Sequence, residues 1–158
     1  MSELQTVSRD ETIAVDALVD EVLVDLEPLA QEKEIKLIGN CNDTTMVGSD
    51  ILIYRMVYNL VENAIKYNHF GGQVTVTAYR KGKNICLSVE DTGSGIPAEL
   101  KERIFEPFFR VDKSRSRQLG GVGLGLALVR EIVRVHDGRI TVQSSPSGGT
   151  IFEVVFTQ

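Results

Sequence analysis

With 158 residues, 42% of them hydrophobic and 25% charged, the chain has the make-up of one globular domain that buries a full core, and wholesale disorder is excluded. Its 17 basic and 22 acidic side chains leave a net charge of −5, which excludes a general basic coat for nucleic acid. No apolar run reaches bilayer-spanning length, and Cys41, Cys86 and two histidines lack metal-ligand spacing, so free thiols are expected and a structural zinc site is not.

Met1-Ser2-Glu3-Leu4-Gln5 shows no basic stretch leading into an apolar run, so no secretory leader is expected. Residues 1–11 read as a polar tail, and residues 1–34 hold ten acids and two bases, a local −8. Asp16 is a candidate N-cap for a helix in which Ala17, Leu18, Val22, Leu26, Leu29 and Ala30 recur at helical spacing. Short strands follow over 35–39 and 44–48. Ser49 caps a long helix reaching about Asn68, with Leu52, Ile53, Met56, Val57, Leu60, Val61, Ala64 and Ile65 on its apolar face. Val74, Val76 and Ala78 alternate with Thr75, Thr77 and Tyr79, and Ile85, Leu87 and Val89 with Cys86, Ser88 and Glu90; Lys81-Gly82-Lys83-Asn84 between them reads as a hairpin turn. Pro97 opens a short helix, residues 106–120 read as irregular, and a helix from about Gly121 to His136 stops at Asp137-Gly138. Strands over 139–144 and 150–156 flank the turn Ser145-Pro146-Ser147-Gly148-Gly149. This order predicts an α+β fold: a two-layer α/β sandwich with helices on one face of a mixed, mostly antiparallel sheet.

Three stretches invite chemistry. Asn59, Asn63 and Lys66 stand at i, i+4 and i+7, on one helix face beside the apolar one. Asparagine is a mediocre helix former. Its amide oxygen is a hard, neutral ligand for Mg²⁺, and a lysine one turn on meets phosphate as a point charge. A solvated polar edge is the bland alternative. At the end of the 85–90 strand, Asp91-Thr92-Gly93-Ser94-Gly95-Ile96 offers a carboxylate for an exocyclic amine and glycines for close backbone approach. Gly93, Gly95 and Ala98 also satisfy the dinucleotide fingerprint G-x-G-x-x-G/A. That reading is rejected, because the match sits mid-chain, a basic loop replaces the ribose-binding acid, and no second half of a doubly wound sheet follows.

Gly120-Gly121-Val122-Gly123-Leu124-Gly125-Leu126 leads into the last long helix. Several glycines weaken a helix start, at roughly 1 kcal/mol each, unless backbone N–H groups there must meet an anion. No G-x-x-x-x-G-K-[ST] loop occurs. Just upstream, residues 110–117 hold four bases and one acid, a local +3, after Phe105, Phe108 and Phe109. A cationic loop clipped to the core by phenylalanines can close over a polyanion such as a triphosphate.

Together these stretches strongly resemble the ATP-binding catalytic domain of bacterial sensor histidine kinases, whose Bergerat fold is shared with gyrase, HSP90 and MutL. Residues 59–67 are similar to that family's asparagine box, 91–95 to its first glycine box, 105–109 to its phenylalanine box and 121–126 to its second glycine box. Gly148-Gly149-Thr150 resembles its terminal glycine-threonine signature. Four motifs in the family's order with fitting gaps make the resemblance specific. It implies a catalytic domain over 12–158 with an ATP lid at about 106–120, and it makes 1–11 a tail or a linker remnant from absent dimerisation helices.

The resemblance implies ATP and Mg²⁺ as cofactors and assigns roles. Asn63 becomes the Mg²⁺ ligand. Asn59 and Lys66 stand beside the phosphates, Tyr67 stacks or packs beside the adenine, and Asp91 binds the adenine amine. Gly93 and Gly95 shape the adenine pocket, and Ile96 and Phe105 join the nucleotide-contacting set. Gly121, Val122, Gly123, Leu124, Gly125 and Leu126 form the phosphate end. Many relatives carry threonine at the position of Val122; here that hydroxyl is missing and the backbone contacts remain. Arg110 is the lid's γ-phosphate contact, with Lys113, Arg115 and Arg117 as weaker candidates.

In ATP-hydrolysing relatives a glutamate one turn before the metal asparagine activates water. Asn59 occupies that position here, and an amide is no effective general base. Slow hydrolysis and transfer to a histidine imidazole are therefore expected, with Asn59, Lys66 and Arg110 as the catalytic set. Neither His69 nor His136 has an adjacent acid on a preceding four-helix-bundle helix, the context the family uses for its phosphoacceptor, which implies an acceptor on a separate dimerisation domain. The resemblance then implies a monomeric, cytoplasmic fragment of a membrane-bound sensor kinase. Its partners are that histidine-bearing domain and a response regulator, with no nucleic acid and no direct membrane contact. The alternatives are a non-catalytic ATP-binding regulatory module and another Bergerat-fold kinase.

Overall fold

The computed structural model describes residues 3–107, 109 and 125–158. After a 3-10 turn at Glu3–Thr6, strand β1 (Glu11–Ala14) leads into helix α1 (Val15–Glu32). The cap position of α1 is Ala14, with extended backbone and no side-chain cap bond, so Asp16 is not the cap. It lies in the first turn, where its carboxylate faces the positive end of the helix. Chain entry from a paired strand replaces the side-chain cap: β1 runs antiparallel to β3 (Thr45–Gly48) with Ile13 opposite Met46. The tail expected over 1–11 is in part docked, since Leu4 and Val7 pack against the core and Arg9 Nη1 donates to the carbonyls of Gln5 (3.1 Å) and Val7 (3.2 Å).

Helix α2 (Asp50–Lys66) starts where the sequence predicts, with Ser49 Oγ accepting from the backbone N–H of Leu52 at 3.3 Å. It stops at Lys66 rather than Asn68, and Tyr67 caps it. Its eight predicted apolar residues are all buried.

The main sheet has the order β2-β4-β5-β7-β6, built from β2 (Lys36–Cys41), β4 (Gln73–Lys81), β5 (Asn84–Asp91), β6 (Arg139–Ser144) and β7 (Thr150–Thr157). Among the described residues only β2 and β4 are parallel, so the sheet is mixed and mostly antiparallel. One row of the register runs Gly39, Val76, Val89, Phe152, Val142 across all five strands and points toward the helices. The neighbouring row on the other face reads Asn40, Thr77, Ser88, Glu153, Thr141, a polar set that suits water. Helix α3 (Gly125–Val135) packs beside α2, and the expected helix after Pro97 is a single 3-10 turn at Ala98–Leu100. Cys41 and Cys86 are both free.

Candidate functional site

Asp91 ends β5 and is only 7% exposed. Its Oδ1 accepts from the backbone N–H of Gly93 (2.9 Å) and of Thr150 (3.2 Å). Burial pushes its carboxyl pKa up, and these two N–H donors oppose the rise. Neither donor uses Oδ2, and no donor among the described residues takes it. The result is a carboxylate fixed by one oxygen, with the other left to accept from a ligand.

Three backbone segments converge on Asp91: the α2–β4 corner, the turn after β5 and the β6–β7 turn. Glycine permits the approach. A Cβ on Gly93 would lie 2.6 Å from the Tyr67 carbonyl, and one on Gly149 would lie 2.1 Å from the Asp91 carbonyl. Gly95 has φ +77, in the left-handed region, and abuts the carbonyl of Gly148.

A polar cluster beneath this corner was not legible in the sequence. Asn68 is 1% exposed; its Nδ2 donates to the Gln73 carbonyl (3.0 Å), and its Oδ1 accepts from the Thr92 hydroxyl (3.1 Å) and the His69 N–H (2.8 Å). Thr92 Oγ1 in turn accepts from the Gln73 N–H at 3.0 Å. Lys33 joins them, donating to carbonyls at the end of α2. The position of Thr92 between Asp91 and Gly93 was a signal; Lys33, more than thirty residues away in sequence, gave none.

Asn59, Asn63 and Lys66 are half-buried along one edge of α2, with Leu60, Val61 and Ala64 buried beside them. Asn59 Nδ2 donates to the carbonyl of Gly125 at 3.4 Å, tying α2 to the start of α3. The Asn63 amide and the Lys66 ammonium take no partner among the described residues. Tyr67 follows, half-buried, at the same corner as Asp91. The structure thus brings the end of the helix that carries the asparagine stripe to the same corner as Asp91.

The remaining predicted residues divide. Ile96 is half-buried against the core. Phe105 is buried, meets Phe152 edge-to-face (centroids 6.2 Å apart) and lies under the Arg130 guanidinium, so its described contacts are core contacts. Phe109 packs under Arg103. Gly125 is exposed and Leu126 half-buried at the start of α3. Phe108, Arg110, Lys113, Arg115, Arg117, Gly121, Val122, Gly123 and Leu124 lie outside the described residues.

The two histidines differ in setting. His69 is exposed and donates its backbone N–H to Asn68. His136 is held at both ring nitrogens. Its Nδ1 lies 2.8 Å from the Ile132 carbonyl, its Nε2 accepts from the Ser49 N–H at 3.0 Å, and burial lowers its pKa.

Residues 48–158 match the family model described as histidine kinase-, DNA gyrase B-, and HSP90-like ATPase. The chain is 40% identical over 141 residues to the sensor-like histidine kinase SenX3 of Mycobacterium tuberculosis (strain ATCC 25618 / H37Rv), a match covering 89% of this chain and 34% of that protein. Among solved structures, the catalytic domain of histidine kinase ThkA superposes with a TM-score of 0.84 at 27% identity, covering 95% of this chain and 96% of that one. Histidine kinase ThkA in complex with response regulator protein TrrA matches with a TM-score of 0.79 at 26% identity, covering 94% of this chain and 41% of that one. The chain spans about a third of the length of the curated relatives it matches.

Proposed function

The chain belongs to the family of histidine kinase-, DNA gyrase B-, and HSP90-like ATPases, as an ATP-binding catalytic domain of the sensor histidine kinase type, and from that premise we propose that it binds Mg²⁺·ATP at the Asp91 end of α2 and passes the γ-phosphoryl group to a histidine imidazole on a separate domain. The observation that carries the reading is the buried Asp91 carboxylate, held through Oδ1 with Oδ2 available to accept from the adenine amine. Tyr67 and Gly93 form the walls beside it.

The donor set fits a hard cation: Asn63 contributes a neutral amide oxygen with no partner among the described residues. Asn63 would hold Mg²⁺, which supplies charge neutralisation along the phosphates. Lys66, one turn on, offsets phosphate charge as a point cation, and Arg110 is assigned to the γ-phosphate. Asn59 has no basic atom to activate water, and its Nδ2 already donates to Gly125. Transfer is therefore favoured over hydrolysis: the γ-phosphorus–oxygen bond breaks as a nitrogen–phosphorus bond forms on the imidazole, and ADP leaves. Gly121 to Leu126 and the lid bases belong to the phosphate end in this reading.

The acceptor belongs to a histidine-bearing dimerisation domain. A response regulator is the downstream partner, by analogy with the ThkA–TrrA complex. The setting is cytoplasmic, where ATP is present; no helix among the described residues is long and apolar enough to cross a membrane. Residues 12–158 form the catalytic unit, with 1–11 leading from the dimerisation helices. The test is calorimetric titration with Mg²⁺·ATP, followed by transfer of labelled γ-phosphate to a supplied histidine-helix domain. Binding with acid-labile label on the acceptor is expected. Tight binding with no transfer overturns the kinase reading, and no binding by folded protein overturns the nucleotide site.

A further inference from the structure

Lys33 lies just beyond α1 and is half-buried. Its ammonium crosses to the far end of α2 and donates to the carbonyls of Ile65 (3.2 Å), Lys66 (2.9 Å) and Asn68 (2.8 Å). An ammonium has three donors, and here three carbonyls receive them. Ile65 and Lys66 stand in the last turn of α2, where partial negative charge gathers, and Asn68 lies just beyond the cap residue Tyr67. The backbone of Lys33 holds the same corner from the other side, its carbonyl accepting from the Gly71 N–H at 2.9 Å.

The segment held this way is the one the site is built on. Asn68 supports Thr92 through Oδ1, next to Asp91. The Gly93 Cα sits so close to the Tyr67 carbonyl and the Asn68 Cα that a Cβ there would be 2.6 Å and 3.2 Å from them. A shift of the 66–68 backbone would therefore carry Gly93 with it, and with Gly93 one of the two N–H groups that orient the Asp91 carboxylate. Resting on the nucleotide reading above, we infer that Lys33 is a positioning residue for adenine recognition: it fixes the α2–β4 corner that aims Asp91, without touching the nucleotide.

Adenine and guanine nucleotides share their phosphate contacts, so the ATP-to-GTP affinity ratio isolates the end of the site that Lys33 supports. The experiment compares Mg²⁺·ATP and Mg²⁺·GTP affinities by calorimetry in wild type, Lys33→Met and Val22→Ala. Val22 is fully buried on α1, remote from the corner, and its truncation lowers stability by a different route. Lys33→Met is expected to weaken ATP binding about tenfold while GTP binding changes less than about threefold, with the wild-type ratio kept in Val22→Ala. Lys33→Gln, which keeps two N–H donors, gives the same readout if Lys33→Met does not fold. An unchanged ratio in the Lys33 variant, or an equal drop in Val22→Ala, overturns the inference. A wild-type protein that binds ATP without preferring it over GTP overturns the Asp91 assignment itself, and this inference with it.

Discussion

Asp91 meets two opposed demands. Burial disfavours its charged form and raises its pKa above the ordinary 3.8, yet the proposed contact with an amine is strongest for the charged, accepting form. The sign follows. A carboxyl whose native pKa exceeds its unfolded one binds its proton more tightly when folded. Its contribution to stability is greatest at low pH and falls as pH rises from the unfolded value through the raised native one. An ionised Asp91 in the ligand-free fold therefore carries a desolvation cost. Asp91→Asn removes that burden and keeps an oxygen for Gly93 and Thr150. Its melting temperature at pH 7 is expected to equal or exceed that of wild type, while the ATP-over-GTP preference in calorimetry disappears. A preserved preference would contradict the adenine role. For Asn63→Asp, a charged oxygen replaces a neutral one beside polyphosphate, and a fall of about tenfold or more in phosphotransfer with near-wild-type melting is expected. At this scale the sequence exposed what periodicity governs: Asn59, Asn63 and Lys66 share a face because the helix repeats every 3.6 residues. It concealed what tertiary closure governs. The second donor to Asp91 comes from Thr150, 59 residues on, and Lys33 bonds Asn68 across 35.

At the scale of elements, α2 is the beam on which the site is mounted, and both of its ends are pinned. Ser49 caps the N-terminus from within its own sequence, so that start was legible. Ser49→Ala is expected to lower stability by about 1 kcal/mol in urea melts, with nucleotide preference unchanged. The same residue's N–H is taken by His136 Nε2 from the end of α3, a contact no local pattern announces. That bond needs a neutral ring, and burial lowers the His136 pKa below the ordinary 6.5, aided by Arg9 and opposed by the Ile132 carbonyl and Asp137. Here the unfolded chain binds the proton more readily. The contribution is complete above the ordinary value and is lost as pH falls from there toward the native one. Urea melts of wild type between about pH 7.5 and about pH 5 should show that loss, and His136→Gln, which does not titrate, should show less of it. Equal pH dependence in both proteins would remove His136 as the coupling between α3 and α2. Strand β1 is illegible in the sequence for a related reason. Four residues with only Ile13 buried carry too little alternation to announce a strand, and its partner β3 lies across α1.

The whole molecule is a one-sided sandwich, and its class was legible because strand alternation and helix periodicity succeed each other cleanly along the chain. The strand order was not, since the placement of parallel β2 beside β4 is set by how α1 and α2 cover the sheet rather than by any strand's own residues. That layout sets the end of α2, the end of β5 and the β6–β7 turn beside one another, the place proposed for the nucleotide. A ligand that bridges these segments stabilises the native state in proportion to its occupancy. At one hundred times its dissociation constant it contributes about 2.7 kcal/mol. For a domain of this size each kcal/mol moves the melting temperature by about 2–4 °C, so saturating Mg²⁺·ATP should raise it by about 5–10 °C. A chelator should shrink the rise if Asn63 works through the cation, and GTP should give less than ATP if Asp91 reads the base. Melting curves that coincide with and without saturating nucleotide would mean that the three segments do not share a ligand.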